Sequence, residues 1–124
     1  MPHLIARSMD HLNMNVRNLE ESVAFYRELF GFTVRKDQPD YTSAIIGNDW
    51  IKLCLYESPD EVTDGGINHF GFHVENFEAI QDRCKEMGVP LNYGVVEWPG
   101  SRSIYISDPN GYEIELSEVA GGGL

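Results

Sequence analysis

Asp10-His11-Leu12-Asn13-Met14-Asn15-Val16-Arg17-Asn18-Leu19-Glu20 and Asn68-His69-Phe70-Gly71-Phe72-His73-Val74-Glu75-Asn76-Phe77-Glu78 are two versions of one stretch. Superposing them sets His11 on His69, Val16 on Val74, Asn18 on Asn76, Leu19 on Phe77 and Glu20 on Glu78, always 58 positions apart (69 − 11, 78 − 20). The chain therefore reads as an internal duplication, and a repeat bears on the whole fold because each copy is one supersecondary unit. It also delivers two histidines in matched places.

Working outward from the first copy, Met9 to Val16 alternates, with Leu12, Met14 and Val16 on one side and His11, Asn13 and Asn15 on the other, the period of a half-buried strand. Asn18 with Glu21 three residues later is an N-cap signal. Leu19, Val23, Tyr26 and Phe30 then recur at helical spacing until Gly31. Strands are expected at 33–35, 42–46 and 50–56, with Gly47-Asn48-Asp49 turning between the last two. The acidic, Gly-Gly-containing stretch 58–66 reads as a connecting loop. The second copy repeats the order: a strand over 67–74, a helix capped by Asn76 and ended by Gly88, and strands near 91–96, 103–107 and 112–117, the last two joined by Asp108-Pro109-Asn110-Gly111. The Gly121-Gly122-Gly123 tail is expected to be disordered. The fold class is α+β, two β-α-β-β-β modules at about 9–57 and 67–118 within one domain spanning 1–124.

The chain has 124 residues, 42% of them hydrophobic, enough to fill a core. Nine basic against twenty acidic residues give a net charge of −11, which repels a phosphate backbone or an anionic bilayer, so neither nucleic acid nor membrane is expected as a partner. No apolar run approaches the roughly 20 residues of a membrane span and no secretory signal opens the chain, so a cytoplasmic location is expected. Cys54 and Cys84 lack metal-knot spacing and read as packed thiols.

Strand parity assigns two faces. Leu12, Met14, Val16, Ile51, Leu53, Leu55, Phe70, Phe72, Val74, Ile104, Ile106, Ile114 and Leu116 can pack beneath helices. The other face carries His11, Asn13, Asn15, Trp50, Lys52, Cys54, Tyr56, His69, His73, Ser103, Tyr105, Ser107, Glu113, Glu115 and Ser117. With three of the four histidines and several rings, it has the composition of a cavity lining. His73 reads as a hydrogen-bonded or core histidine. Two imidazoles and one carboxylate can hold a divalent ion and leave positions open, and His11, His69 and Glu115 supply that set on this face.

The stretches D-H-L-N-M-N-V (10–16), E-E-S-V-A-F-Y-R-E-L-F-G-F (20–32), N-H-F-G-F-H-V (68–74) and S-I-Y-I-S-D-P-N-G-Y-E-I-E-L (103–116) resemble the vicinal oxygen chelate superfamily over about Met9 to Glu118. That superfamily includes glyoxalase I, extradiol dioxygenases, fosfomycin-resistance transferases and bleomycin-binding proteins. The resemblance implies paired modules with a concave ligand-binding sheet, one divalent metal ion (Fe, Mn, Ni or Zn) on His11, His69 and Glu115, a small-molecule substrate, and a homodimer whose site takes His11 from one copy and His69 with Glu115 from the other.

The resemblance also marks departures. Within that superfamily the resemblance implies that glyoxalase I and methylmalonyl-CoA epimerase add a fourth ligand, Glu or Gln, from the strand closing module one. Setting 51–53 on 114–116 puts Lys52 there, and an ammonium has no lone pair to give. Glu57 has the parity of Leu53 and Leu55 and should point away. The family's threonine after the first histidine is Asn13 here, and its potassium loop is replaced by Gly100-Ser101-Arg102-Ser103, while Ser103 and Tyr105 match the fosfomycin subfamily's substrate side. Glu115 and Tyr105 are thus candidate catalytic residues, and Asn13, Lys52, Ser103 and Tyr105 candidate substrate contacts. Lys52 serves equally as an anion clamp or as an ion-pair partner of Glu113 or Glu115. Two functions are expected: a metalloenzyme of dioxygenase, lyase or thiol-transferase type, or a metal-free ligand-sequestering protein of the bleomycin-resistance type.

Overall fold

A computed structural model describes residues 4–63 and 65–123. The chain divides between Val62 and Thr63 into two compact units, each an α+β module of the same order. The first contains β1 (Leu12–Val16), α1 (Leu19–Phe30), β2 (Thr33–Gln38), β3 (Ser43–Gly47) and β4 (Lys52–Glu57). The second contains β5 (Phe70–His73), α2 (Phe77–Met87), β6 (Val96–Trp98), β7 (Ser101–Ser107) and β8 (Glu113–Ser117). The modules expected from the sequence fall inside these units.

Each unit builds one four-stranded sheet, ordered β1-β4-β3-β2 and β5-β8-β7-β6. In both, the first strand runs parallel to the last, because the helix carries the chain back over one face, while the remaining pairs are antiparallel. Leu12 lies opposite Leu53 and Asn13 opposite Cys54; Phe70 lies opposite Ile114 and Gly71 opposite Glu115. Of the apolar parity set, Leu12, Ile51, Phe70 and Phe72 are half-buried, while Val16, Leu55, Ile104, Ile106, Ile114 and Leu116 are fully enclosed. Each such side chain contributes about 1.5–3 kcal/mol, and together they fix which face is left for chemistry.

The helices follow their sequence signals, with one difference. Asn18 Oδ1 accepts the Glu21 amide at 2.8 Å, and Gly31 ends α1 in the left-handed region. Glu57 turns toward α1 as its parity requires, accepting the Leu19 amide at 2.9 Å. Tyr26, fully buried, stacks with Phe30 and Phe32 to anchor α1. In α2, Phe77, Ile80 and Cys84 are buried and Gly88 ends the helix, but Asn76 makes no side-chain cap bond. Arg102 of β7 ties α2 down instead, its guanidinium 4.8 Å from the Phe77 ring centroid and paired with Glu78 and Glu118 at 2.8 Å each.

Three other expectations change. The strand near 91–96 begins only at Val96, because Pro90 and the positive-φ Gly94 keep the approach irregular. The glycine tail forms a short 3-10 turn, Ala120–Gly123, instead of lying disordered. His73 is exposed, so it is not a core histidine. No helix among the described residues is long and apolar enough to cross a membrane.

Candidate functional site

The polar face of the second sheet gathers its chemistry around one carboxylate. β8 presents Glu113, Glu115 and Ser117 on one side by strand alternation, and the register sets Tyr105 beside Glu115 and Ser103 beside Ser117. Opposite Glu115 on β5 stands Gly71, where a Cβ would come within 3.3 Å of the Glu115 carbonyl oxygen and 3.6 Å of its Cβ. The glycine keeps room at the carboxylate's base. His69, one residue before β5, then reaches Glu115: its Nε2 lies 3.0 Å from Oε1.

The protonation of that pair follows from the other ring nitrogen. His69 Nδ1 is 2.7 Å from Asn68 Oδ1, a carbonyl acceptor, so Nδ1 carries the hydrogen. In the neutral ring Nε2 is then a lone pair aimed at a carboxylate oxygen, and two lone pairs 3.0 Å apart need a cation between them, a proton or a metal. Donors about 2.1 Å from a shared ion and at right angles stand ~3.0 Å apart, so the spacing suits a metal. His11 repeats the device, with Nδ1 2.7 Å from Asp10 Oδ2, which leaves its Nε2 open. Metal-ligating histidines are held this way, the far N–H donated to an acceptor. Asp10 and Asn68 are functional candidates that strand parity passed over, although the repeat displays both, each just before its histidine.

Burial is the largest single influence on Glu115 and raises its pKa. Hydrogen bonds from Ser103, His69 and Tyr105 outweigh it, so the carboxyl titrates below the usual carboxylate range. Ser103 Oγ donates to Oε2 at 2.7 Å and Ser117 Oγ to the same oxygen at 3.3 Å. Tyr105 is buried, accepts the Trp98 indole N–H at 3.0 Å and hydrogen-bonds Glu115; burial above all pushes its phenol up. Its ring stands edge-on to those of His69 and Tyr93, at 5.5 and 5.4 Å, and Tyr93 donates to Glu113 at 3.0 Å.

The candidates of the first unit sit apart from this network in kind. Asn13 and Lys52 are exposed; the hydrogen bond with His11, first, lowers the Asp10 pKa, the Lys52 charge adding to it, and at Cys54 the same charge only partly opposes a rise. The observed registers also correct the alignment of the strands closing the modules. Asn13, the twin of Gly71, lies opposite Cys54, while Gly71 lies opposite Glu115. Cys54 is therefore the counterpart of Glu115, and Lys52 that of Glu113. Burial, first, and then the charge of Asp10 raise the Cys54 pKa, so it remains a neutral thiol. Among the described residues no three His, Cys, Asp or Glu side chains gather as a ready metal site; His69 and Glu115 are a pair.

A family model for the Glyoxalase/Bleomycin resistance protein/Dioxygenase superfamily matches residues 8–116. The chain is 32% identical over 113 residues to the trivalent organoarsenical cleaving enzyme of Bacillus sp. (strain MD1), covering 86% of this chain and 70% of that one. It is 29% identical over 118 residues to glutathione transferase FosA of Serratia marcescens, covering 89% and 79%. A variant of the fosfomycin resistance protein FosX of Listeria monocytogenes, solved with Mn(II) and 1S,2S-dihydroxypropylphosphonic acid, superposes with a TM-score of 0.76 at 22% identity, over 90% of this chain and 92% of that one, a likeness of fold. Spanning both modules, the match makes the chain a member of the Glyoxalase/Bleomycin resistance protein/Dioxygenase superfamily.

Proposed function

We propose that this protein is a metal-dependent enzyme acting on a small molecule through two adjacent oxygens, with one divalent ion held by His69, Glu115 and His11. The observation that carries the reading is the 3.0 Å approach of His69 Nε2 to Glu115 Oε1 while Nδ1 is committed to Asn68. Relatives named as an organoarsenical cleaving enzyme and a glutathione transferase support enzyme over binder, and a fold relative holding Mn(II) supports a divalent ion. Iron, manganese, nickel and zinc all accept two imidazoles and a carboxylate. When bound, such an ion supplies Lewis acidity toward the substrate's oxygens.

The chain's own groups narrow the chemistry. Glu115, its Oε2 held by Ser103 and Ser117 and its Oε1 turned to His69, serves as a ligand. Tyr105 stays protonated, its hydroxyl spent between Trp98 and Glu115, so it orders the carboxylate and walls the site. Electrophilic activation of the dioxygenase, lyase or thiol-transfer kind fits these roles. Asn13 and Lys52 are assigned to the substrate, Lys52 against an anionic group. The resemblance implies a homodimer in which His11 of one copy joins His69 and Glu115 of the other; a fully active monomer in sedimentation would contradict it. Two free thiols, Cys54 and Cys84, suit a reducing cytoplasm.

The second reading is a metal-free ligand-sequestering protein of the bleomycin-resistance type. Elemental analysis of untagged protein purified without chelator separates the two. About one transition-metal ion per chain is expected, and His11→Ala should lose both metal and turnover. No metal, even after adding it back, with His11→Ala altering only ligand affinity, would replace the enzyme by the binder.

A further inference from the structure

The reading of Ser103 as a substrate contact meets an obstacle in the second sheet. Ser103 is fully buried and Ser117 nearly so. The Ser103 hydroxyl hydrogen goes to Glu115 Oε2 at 2.7 Å, and its oxygen lies 3.3 Å from Ser117 Oγ. Ser117 Oγ is also 3.3 Å from the same Oε2. A hydroxyl has one hydrogen to give, and that of Ser103 is already committed.

The geometry points to Ser103, backed by Ser117, as a positioning residue that clamps one oxygen of Glu115 so that the other alone faces the metal. Oε2 is held by the two serines, and Oε1 is left toward His69 Nε2. Glu115 then gives the ion a single donor atom. A carboxylate free to swing both oxygens onto an ion would take a further position from the paired oxygens of a substrate.

The duplication supplies an internal control. The twin of Ser103, reached through the register that pairs Ser43 with Tyr56 and Ser103 with Ser117, is Ser43. Ser43 is equally buried, yet its hydroxyl donates to Gln38 Oε1 at 2.9 Å, because Cys54 stands where the carboxylate would be. The serine persists in both modules, and the clamp forms only beside Glu115.

This inference rests on the metal-site reading, and the test keeps the two apart. Metal-free wild type, Ser103→Ala, Ser103→Thr and Ser117→Ala are titrated with cobalt(II) against a competing chelator, with the visible spectrum recorded and thermal unfolding checked without metal. Ser103→Ala should bind cobalt roughly 10–100-fold more weakly and shift the cobalt spectrum as the freed Oε2 enters the coordination shell. Ser103→Thr, which keeps the hydroxyl, should restore both, and Ser117→Ala should show a smaller loss in the same direction. If Ser103→Ala proves unfolded, Ser117→Ala and Ser103→Thr still decide. Wild-type affinity and spectrum in the alanine variants would overturn the clamp while leaving the metal site standing. A wild type that takes up no cobalt would overturn the metal site, and the clamp with it.

Discussion

The two modules share one fold and differ in what one face carries. Both order their strands the same way, begin with a histidine just ahead of the first strand, and hold that ring's Nδ1 with the preceding side chain, Asp10 or Asn68. Beyond the histidine the faces diverge. Where module two sets Glu115, Tyr105, Ser117 and Glu113, the matching registers of module one set Cys54, Ile45, Tyr56 and Lys52. The apolar face, which every copy needs in order to fold, is kept in both. The polar face, where the proposed carboxylate ligand stands in one copy alone, differs between them.

The largest expected effect breaks the pair at its point of divergence. Glu115→Ala should weaken metal binding by more than the roughly hundredfold cost of deleting a ligand's hydrogen-bond partner, whereas Cys54→Ala should leave it unchanged in chelator competition. Equal losses would mean that the modules share the ligand role. The core twins should behave alike: Leu55 and Leu116 are both fully buried, and each Leu→Ala change should cost about 2–5 kcal/mol in urea unfolding. A large inequality would show that one module folds on the other's stability.

Next in size come the residues that orient the imidazoles. Asn68→Ala and Asp10→Ala should each lower metal affinity about 10–100-fold with little change in melting temperature, since both bonds are exposed. Competition titration showing no loss would remove the tautomer argument. The smallest effect distinguishes the helix starts. Asn18→Ala should destabilise by ~1 kcal/mol, and Asn76→Ala by clearly less, because only Asn18 makes its cap bond.

Much of this was legible beforehand, for physical reasons that also explain the rest. Period two and period 3.6 located the strands and helices and sorted Val16 or Leu116 from Glu115, because burial enforces those periods. The same period left the alignment of the closing strands open: sliding by two residues preserves every facing, so Lys52 and Cys54 were equally good twins of Glu115. Only the hydrogen-bond register separates them. The roles of Asp10 and Asn68 were hidden because they and the histidines lie outside the regular strands, where alternation no longer sets direction. Ser103 was seen on the right face, but its commitment to Glu115 depends on rotamers that no pattern encodes.

A cobalt(II) titration of the metal-free chain, followed by visible and near-ultraviolet absorption, bears most directly on the metal site. Saturation is expected at about one ion per chain, as a two-histidine, one-carboxylate set requires, with a nitrogen and oxygen ligand spectrum that Glu115→Ala abolishes and Cys54→Ala leaves alone. No uptake, or a thiolate-to-cobalt charge-transfer band that disappears in Cys54→Ala, would contradict it.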